Sequence, residues 1–290
     1  MSHRALLLVN PHAREGQKQL SEAIDQLQTL GLELIEESTE NPKHLPDVIR
    51  RYQNQVDLVI VGGGDGTLNA AVDGLVDTQL PLGILPLGTA NDLARTLKIP
   101  TCLPDACEII ATGYSRRIDL GWVNGKHFFN VASLGVSVQI TQKLSKEAKR
   151  RWGVLAYAAT ASQVIWQARP FRAEIRFNGE SISVKTIQIA VGNGRYYGGG
   201  FTVDYDAAID DQQLDLYSLE IQHWWEILAL LPAMRGGQHT LARGVRALDA
   251  QEIEVYTHKP HAINTDGEIT TSTPAKFRVI PHALAVLVAN

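Results

Sequence analysis

The fold is decided by one stretch of the sequence, Val56-Asp57-Leu58-Val59-Ile60-Val61-Gly62-Gly63-Gly64-Asp65-Gly66-Thr67-Leu68-Asn69. The apolar run at its start has the composition of a strand buried on both faces of a parallel sheet. A glycine-rich turn follows, and the apolar spacing from 68 to 75 predicts a helix. A strand, a turn and a helix in this order form the repeating unit of α/β folds.

The same order recurs on both sides of this stretch. Apolar runs predict further strands, and apolar residues three to four positions apart predict further helices. The predicted strands cover 4–9, 32–37 and 82–85, and the predicted helices cover 17–30 and 91–97. The first 120 residues are therefore expected to form an α/β domain with a parallel sheet.

The pattern changes near Trp122, where strands with shorter connections predominate. We expect a nucleotide-binding α/β domain at 1–121, with the apolar tail 283–290 packing back on it, and a β-rich, sandwich-like domain at 122–282. In the second domain the predicted strands are 126–134, 172–177, 182–192, 214–219, 251–257 and 276–280, and the predicted helices are 138–168 and 224–235.

The composition excludes several classes of protein. The chain has 290 residues, of which 44% are hydrophobic and 20% charged, so it can bury a core and is not disordered. A net charge of -4 gives no indication of non-specific nucleic-acid binding. Two cysteines without a second pair argue against a disulfide framework and a zinc site, and favour free thiols in a reducing, cytoplasmic compartment.

The glycine turn at 62–67 is suited to phosphate. Glycines at a strand end let backbone N–H groups approach an anion closely, and a helix N-terminus attracts negative charge. We expect Thr67 to cap this helix. The sequence is neither a Walker A loop nor Gly-x-Gly-x-x-Gly. Asp65 has two open interpretations, a local turn bond or a ligand to a cation that bridges to phosphate.

A second turn, Leu85-Pro86-Leu87-Gly88-Thr89-Ala90-Asn91-Asp92, has a similar make-up. Both turns should lie at the carboxyl ends of parallel strands, where α/β folds bind ligands. Ordinary helix capping by Thr89, Asn91 and Asp92 is the alternative interpretation. Two such turns some twenty residues apart favour a nucleotide-phosphate cleft.

These motifs resemble the diacylglycerol kinase catalytic-domain family, in particular its soluble bacterial lipid kinases. The resemblance begins with Gly-Gly-Asp-Gly-Thr at 63–67 and Leu-Gly-Thr-Ala-Asn-Asp at 87–92. It continues through Arg-Ile-Asp-Leu at 117–120, the stretches 129–135, 192–200 and 210–215, and Asp-Gly-Glu at 266–268. It implies a two-domain fold with the active site in the cleft between the domains, and transfer of phosphate from ATP to a lipid alcohol.

The resemblance also implies roles for individual residues. Asp65, Asp119 and Glu268 would be catalytic, with Glu268 as the general base and Asp119 beside the phosphates and a catalytic Mg²⁺. On its residues alone, Glu268 has the alternative of a solvated hairpin turn. The residues that would bind ATP and its metal are Asn10, Thr39, Gly63, Gly64, Asp65, Gly66, Thr67, Leu68, Asn69, Thr89 and Asp92.

A second, structural Mg²⁺ is implied at an acidic loop that otherwise is simply solvated. Its ligands would be the carboxylate of Asp211 and the backbone carbonyls of Ala208 and Gln213. Gln212 stands where many members of the family have glycine. If the loop needs a positive φ there, glutamine costs about 1 kcal/mol or more, which weakens this site.

The segment 143–168 joins a basic run to Trp152 and an uncharged stretch. Anionic lipids attract lysine and arginine, and tryptophan favours the interface, so this segment is expected to contact the inner face of the membrane. A helix with a merely solvated basic end is the alternative. A homodimer remains open.

Two other functions are weighed against a lipid kinase. NAD kinase shares the Gly-Gly-Asp-Gly-Thr turn, but it carries an Asn-Glu pair in its second motif where this chain has Gly-Thr-Ala-Asn-Asp. A nucleotide- or lipid-binding regulator with weak catalysis is the second rival. The presence of Asp65, Asp119 and Glu268 argues against it.

Overall fold

The computed structural model describes residues 3–9, 17–38, 41–143, 163–221 and 223–289. They divide into two compact units. The first comprises Met1–Leu120, Ile209–Asp211 and Ile280–Asn290, and the second comprises Gly121–Ala208 and Gln212–Val279. The chain therefore passes from one unit to the other more than once, and each unit is described separately.

The first unit is built on a parallel sheet. Its strands are β1 (His3–Val9), β2 (Leu32–Ser38), β3 (Leu58–Gly63), β4 (Leu82–Pro86) and the start of β5 (Tyr114–Val123). Its helices are α1 (Gln17–Thr29), α2 (Leu45–Tyr52), α3 (Asp65–Thr78), α4 (Asp92–Thr96) and α5 (Leu103–Thr112). The strand order β2-β1-β3-β4 places β3 beside β4, so the two predicted turns follow neighbouring strands.

The core of this unit explains its apolar runs. Residues 5–8 of β1 and 59–61 of β3 are at most 1% exposed, as expected of strands covered on both faces. Ala23 and Leu27 bury one side of α1. The last part of a long strand, Ala275–Val288, belongs to this unit, where Val286 pairs in parallel with Leu82 of β4.

The second unit is an antiparallel sandwich. Its strands are the end of β5, β6 (Lys126–Phe128), β7 (Val131–Gly135), β8 (Phe171–Phe177), β9 (Glu180–Thr186), β10 (Gln188–Gly192), β11 (Tyr196–Tyr197), β12 (Phe201–Thr202), β13 (Leu214–Leu219), β14 (Val245–Ala250), β15 (Glu252–Thr257), β16 (Ala262–Thr265), β17 (Glu268–Ser272) and the start of β18 (Ala275–Val288). One sheet runs β14-β13-β10-β7-β16-β17. The other contains β9, β8, β15 and the start of β18, and β5 pairs with β18 and with β6. Side chains of both meet in one core, which includes Leu134, Ile189, Ile253 and Phe277.

The helices of the second unit cover the other face of its first sheet. They are α6 (Val136–Lys143) and α7 (Trp224–Gly236), with 163–167 also helical. A second apolar cluster joins them to the sheet through Ile140, Ile165, Ile227 and Tyr217. Within the residues that the structure covers, no helix has the length and apolar character needed to cross a bilayer.

The predicted α/β and β-rich architecture is confirmed. Some elements differ from the prediction. The predicted strand 126–134 is two strands separated at 129–130, and the predicted strand 182–192 breaks at Ile187. The middle of the predicted helix 138–168 lies outside the described residues. Several elements fall outside the predicted segments: α2, α5, β5, β11, β12, β14, β16 and β17.

Candidate functional site

The two glycine turns meet at the carboxyl ends of β3 and β4. Gly63 pairs with Pro86, and the N–H of Leu87 donates to the carbonyl of Gly63 at 3.1 Å. A Cβ on Gly88 would lie 2.4 Å from the Cα of Gly64. Side chains cannot fit at this contact, so both positions need glycine for close approach of the two backbones.

The first turn leads directly into α3. The helix begins at Asp65, with Gly64 at the N-cap in extended conformation, and no side chain caps it. The expectation that Thr67 caps this helix is therefore wrong. Thr67 lies within the first turn, under Gly63, where an added Cβ would come within 2.6 Å of its Oγ1. An uncapped N-terminus with glycine on its approach suits a phosphate.

Asp65 connects the two turns. Its Oδ1 accepts a hydrogen bond from the N–H of Leu93 at 3.1 Å, across 28 residues of sequence. This bond is not the local turn bond that was one interpretation of Asp65. It ties the carboxylate to the backbone of the residue that follows Asp92, an aspartate that is 5% exposed. Carboxylate oxygens are the ligands that Mg²⁺ takes in proteins, so the donor set here fits the expected metal.

The second turn is held by Asn91. Its backbone is left-handed, with a φ of 50°, and it occupies the N-cap of α4 without making a side-chain cap bond. Its Oδ1 instead accepts from the N–H of Gly88 at 2.9 Å, and its Nδ2 donates to the carbonyl of Gly88 at 2.8 Å. Asn91 thus shapes the turn, while the neighbouring Thr89 is exposed at its tip.

Asp119 lies in β5 and is 1% exposed. Its Oδ1 accepts the N–H of His282 at 2.7 Å, and Arg117 donates from Nε to the carbonyl of His282 at 2.8 Å. His282 has a left-handed φ of 49°. The carboxylate of Asp119 therefore fixes an unusual backbone conformation in β18, a function that the sequence analysis did not foresee.

Residues 209–211 of the acidic loop belong to the first unit. The N–H of Asp119 donates to the carbonyl of Ile209 at 2.8 Å, and the Arg116 guanidinium bonds Asp210 at 2.9 and 2.5 Å. Gln212 has a φ of 63°, so the loop does need the positive φ that was suspected. Among the residues described, no group of three or more histidine, cysteine or carboxylate side chains is arranged to hold a metal.

Glu268 lies in the second unit, in the hairpin of β16 and β17. Thr265 pairs with Glu268 across a two-residue turn, Asp266 and Gly267, with φ values of 48° and 96°. Two positive φ values are typical of a type I′ turn, for which Asp-Gly is a preferred sequence. Glu268 is exposed. The predicted hairpin is confirmed, and it leaves the carboxylate of Glu268 accessible to solvent.

Asp266 anchors that turn. Its carboxylate accepts the N–H groups of Phe129 at 2.7 Å, Asn130 at 3.0 Å and Val131 at 3.1 Å. Its own N–H donates to the carbonyl of Val131. These charge-assisted bonds fasten the hairpin beside the start of β7. No role is predicted for Asp266 from the sequence, although its place in an Asp-Gly turn is visible there.

The stretch 129–131 also holds the segment after β10. The carbonyl of Asn130 accepts the N–H groups of Asn193 at 2.9 Å and Gly194 at 3.1 Å. Asn193 Nδ2 donates to the carbonyl of Phe129 at 2.8 Å. Three of the motifs recognised in the sequence, which begin at 129, 192 and 266, therefore converge in the second unit.

The structure thus brings most of the predicted nucleotide residues together. Gly63, Gly64, Asp65, Gly66, Thr67, Thr89 and Asp92 lie on two touching turns, with Leu68 buried behind them in α3 and Asn69 partly exposed beside it. Asp119 is bonded to β18, and Glu268 is in the second unit. Asn10 and Thr39 lie outside the described residues.

Two sequence models match the chain in succession. The diacylglycerol kinase catalytic domain matches residues 4–123, and the YegS C-terminal NAD kinase beta sandwich-like domain matches residues 130–288. A diacylglycerol kinase of Staphylococcus aureus (strain MRSA252) is 27% identical over 100% of this chain and 94% of its own length. A diacylglycerol kinase of Bacillus subtilis (strain 168) is 28% identical, over 94% and 92%.

Solved structures show the same fold. A crystal structure of a diacylglycerol kinase from Bacillus anthracis str. Sterne covers 99% of this chain and 97% of its own, with a TM-score of 0.78 and 22% identity. Another chain from the same organism has a TM-score of 0.86 at 24% identity, over 99% of this chain and 95% of its own.

Proposed function

The chain belongs to the family in which a diacylglycerol kinase catalytic domain precedes a YegS-type sandwich domain, and we propose that it transfers the γ-phosphoryl group of ATP to the hydroxyl of a lipid. One observation carries the proposal. The two glycine turns touch at the carboxyl ends of neighbouring parallel strands, and a carboxylate bridges them. This is the place and the chemistry that a nucleotide with a bound cation requires.

We assign the nucleotide phosphates to the backbone N–H groups at the start of α3 and to the exposed Thr89. Asp65 and Asp92 would hold Mg²⁺, which neutralises charge on the transferring phosphoryl group. Because Asp65 also accepts the N–H of Leu93, its carboxylate is oriented before any ligand binds. Asp119 stays in the proposal as a residue beside the phosphates, and its bond to His282 keeps it in place.

Glu268 is assigned as the general base on the lipid hydroxyl. Its exposure supports access to an acceptor, and the three bonds of Asp266 support a fixed position. Such a base contributes roughly 10²–10⁴-fold to the rate. Transfer requires Glu268 and the nucleotide to meet in the reacting complex.

A structural Mg²⁺ at Asp211, with the carbonyls of Ala208 and Gln213, remains part of the proposal. Its support is that Arg116 and Asp119 fix the adjoining residues. The left-handed Gln212 counts against it, since a glycine would adopt this conformation without strain.

We also propose cytoplasmic localisation and contact of the segment 143–168 with an anionic membrane. Its basic residues from 146 to 151 and Trp152 lie outside the described residues. In the described part, Trp166 is 68% exposed and Lys143 bonds Gln167 at 3.0 Å. An exposed tryptophan, followed by a glutamine that bonds a lysine, has the composition of a membrane-contacting surface.

The test is transfer of labelled phosphate from ATP to a panel of lipids and to NAD. Asp65→Asn and Glu268→Gln should each lower lipid phosphorylation by about 100-fold or more. Asp105→Asn and Glu180→Gln, at exposed positions of the first and second unit, are matched controls and should leave it unchanged. Product on NAD alone would replace the proposal by the NAD kinase alternative. If lipid phosphorylation survives both Asp65→Asn and Glu268→Gln, the roles assigned to Asp65 and Glu268 are wrong.

A further inference from the structure

A second side chain besides Asp266 holds the turn that precedes Glu268. The Oδ1 of Asn264 accepts the N–H of Gly267 at 2.8 Å, and Asn264 is 5% exposed. Gly267 is the second residue of the two-residue turn, and Glu268 follows it directly. Asn264 therefore fixes the backbone from which the side chain of Glu268 projects.

A β-bulge lies at Asn264. The register of β16 against β17 shifts between Ile263 and Asn264. Bulges re-aim a side chain and occur often next to active sites. Ile263 packs in the sandwich core, whereas Asn264 lies opposite Ser133 of β7. The strand that leads to Glu268 is thus irregular at the residue that bonds its turn.

The other end of the Asn264 amide contacts α6. Its Nδ2 donates to Thr141 Oγ1 at 3.0 Å, and Thr141 Oγ1 donates in turn to the carbonyl of Ser137 at 3.0 Å. A hydroxyl has one hydrogen, so Thr141 offers only lone pairs to Asn264. The amide must therefore present its NH₂ group to Thr141 and its oxygen to Gly267, and the two contacts fix its orientation.

The start of α6 is itself held by buried polar groups of the sheet. The N–H of Ser137 donates to Gln188 Oε1 at 2.8 Å, and the Oγ of Ser137 donates to Ser133 Oγ at 2.9 Å. Ser133 and Gln188 are each 5% exposed. Buried polar groups cost stability unless they are paired, so a paired network selects one arrangement. Here that arrangement runs from the sheet through α6 to the turn before Glu268.

We propose that Asn264 is a positioning residue for Glu268, acting through Gly267 and held by Thr141 of α6. This inference rests on the proposed function in taking Glu268 as the general base. Such a base must stay about 2.6–3.2 Å from the hydroxyl whose proton it takes, and a displacement of about 1 Å costs roughly 100-fold in rate. Asn264 takes up no proton itself and acts only on the place of the carboxylate.

The kinetic test uses diacylglycerol and phosphatidylglycerol as acceptors, each in micelles of a neutral detergent. On the faster acceptor, Asn264→Ala should lower kcat by about 10- to 100-fold, with the KM for ATP changed less than about threefold. Thr141→Val should lower kcat by about 3- to 10-fold, since Asn264 keeps its bond to Gly267 but loses its support. Thr141→Ser retains the hydroxyl and should stay within about twofold of the native kcat.

Thr112→Val in α5 is the matched control. Thr112 is exposed and makes the same kind of bond as Thr141, from its Oγ1 to the carbonyl four residues earlier, at 2.8 Å. Its substitution should leave kcat unchanged.

A second comparison separates positioning from a merely structural effect. In a Glu268→Gln background, Asn264→Ala should lower kcat further by less than about twofold, because no base remains to be positioned. Three results would overturn the inference: the same fold loss in both backgrounds, an unchanged kcat for Asn264→Ala, or a loss that appears in the KM for ATP. If Asn264→Ala does not fold, the same comparisons apply to Thr141→Val.

Amide hydrogen exchange separates this inference from the proposed function. Without ATP or lipid, the N–H of Gly267 should exchange about tenfold or more faster in Asn264→Ala than in the native protein. If it does so while the native protein phosphorylates no lipid, the positioning of the turn stands and the proposed function is wrong. Equal exchange at Gly267 in both proteins would overturn the inference whatever the kinetics.

Discussion

Replacing Asp266 by asparagine separates the positioning of Glu268 from the chemistry that we propose for it. The carboxylate of Asp266 accepts three backbone N–H groups, from Phe129, Asn130 and Val131. A hydrogen bond to a charged group contributes about 1.5–3 kcal/mol, and asparagine retains one acceptor oxygen while it places an NH₂ group against an N–H donor. We therefore expect the free energy of unfolding to fall by about 2–4 kcal/mol.

Without these hydrogen bonds the turn at 266–267 should become more mobile, and the position of Glu268 should become less well fixed. A displacement of about 1 Å at a reacting group costs roughly 100-fold in rate, so kcat on lipid should fall by about that factor with little change in the KM for ATP. Glu268→Gln should lower kcat without the loss of stability, since its side chain is exposed. Because both act at one group, the double variant should be little slower than Glu268→Gln alone.

The assays are urea unfolding and steady-state kinetics with Asp249→Asn, an exposed aspartate of β14, as the matched control. An Asp266→Asn protein that unfolds like the native one and keeps its kcat would refute the reasoning. If the losses of kcat in the two single variants add up in the double variant, Asp266 acts independently of Glu268.

Three further predictions concern other parts of the chain. Gly88→Ala should destabilise the protein by about 2–3 kcal/mol in urea unfolding, because its Cβ would lie 2.4 Å from Gly64 Cα; Gly236→Ala, whose nearest neighbour is at 3.9 Å, is the control, and equal effects would contradict the prediction. Gln212→Gly should raise the free energy of unfolding by about 1 kcal/mol, since it relieves a φ of 63°, and a loss of stability would contradict this. Burial lowers the pKa of His239 to about 4, whereas the unfolded chain takes up this proton near pH 6.5, so stability should fall as the pH drops from 6.5 to 4. Between pH 7 and 4.5 the native protein should lose about 2 kcal/mol more than His239→Phe in urea unfolding, and equal losses would contradict the prediction.

The first sheet was predictable because its strands are buried on both faces. Residues 5–8 and 59–61 form continuous apolar runs that end in turn residues, and this signal is local. The turns at Gly64 and Gly88 were predictable because their signal is also local: glycine and hydroxyl residues stand together in the sequence. Their mutual contact follows from the rule that parallel strands end at one edge.

The missed elements have weaker local signals. In α2 only Leu45 and Ile49 are buried, which is too short a pattern to stand out. The start of β5 is exposed and carries Arg116 and Arg117, so it lacks the apolar run of the other strands. The break at Ile187 depends on the pairing of β10 with β7 and β13, which no local pattern reveals.

The partners of site residues were beyond local patterns altogether. Asp266 binds N–H groups 135 to 137 positions away, and Asp119 binds one 163 positions away. Backbone donors carry no side-chain signature, so a sequence shows nothing of such bonds. Thr67 was mistaken for a cap because its residue type suits one, whereas Gly64 occupies that position.

The discontinuous composition of the first unit bears on how the protein is made in the cell. Strand β4 pairs with Val286, and the carboxylate of Asp119 accepts the N–H of His282, so both need residues that are synthesised last. A ribosome that has released only residues 1–120 has supplied neither partner. The two glycine turns therefore leave the ribosome early, but the edge of β4 stays unpaired in the nascent chain until synthesis has passed residue 286.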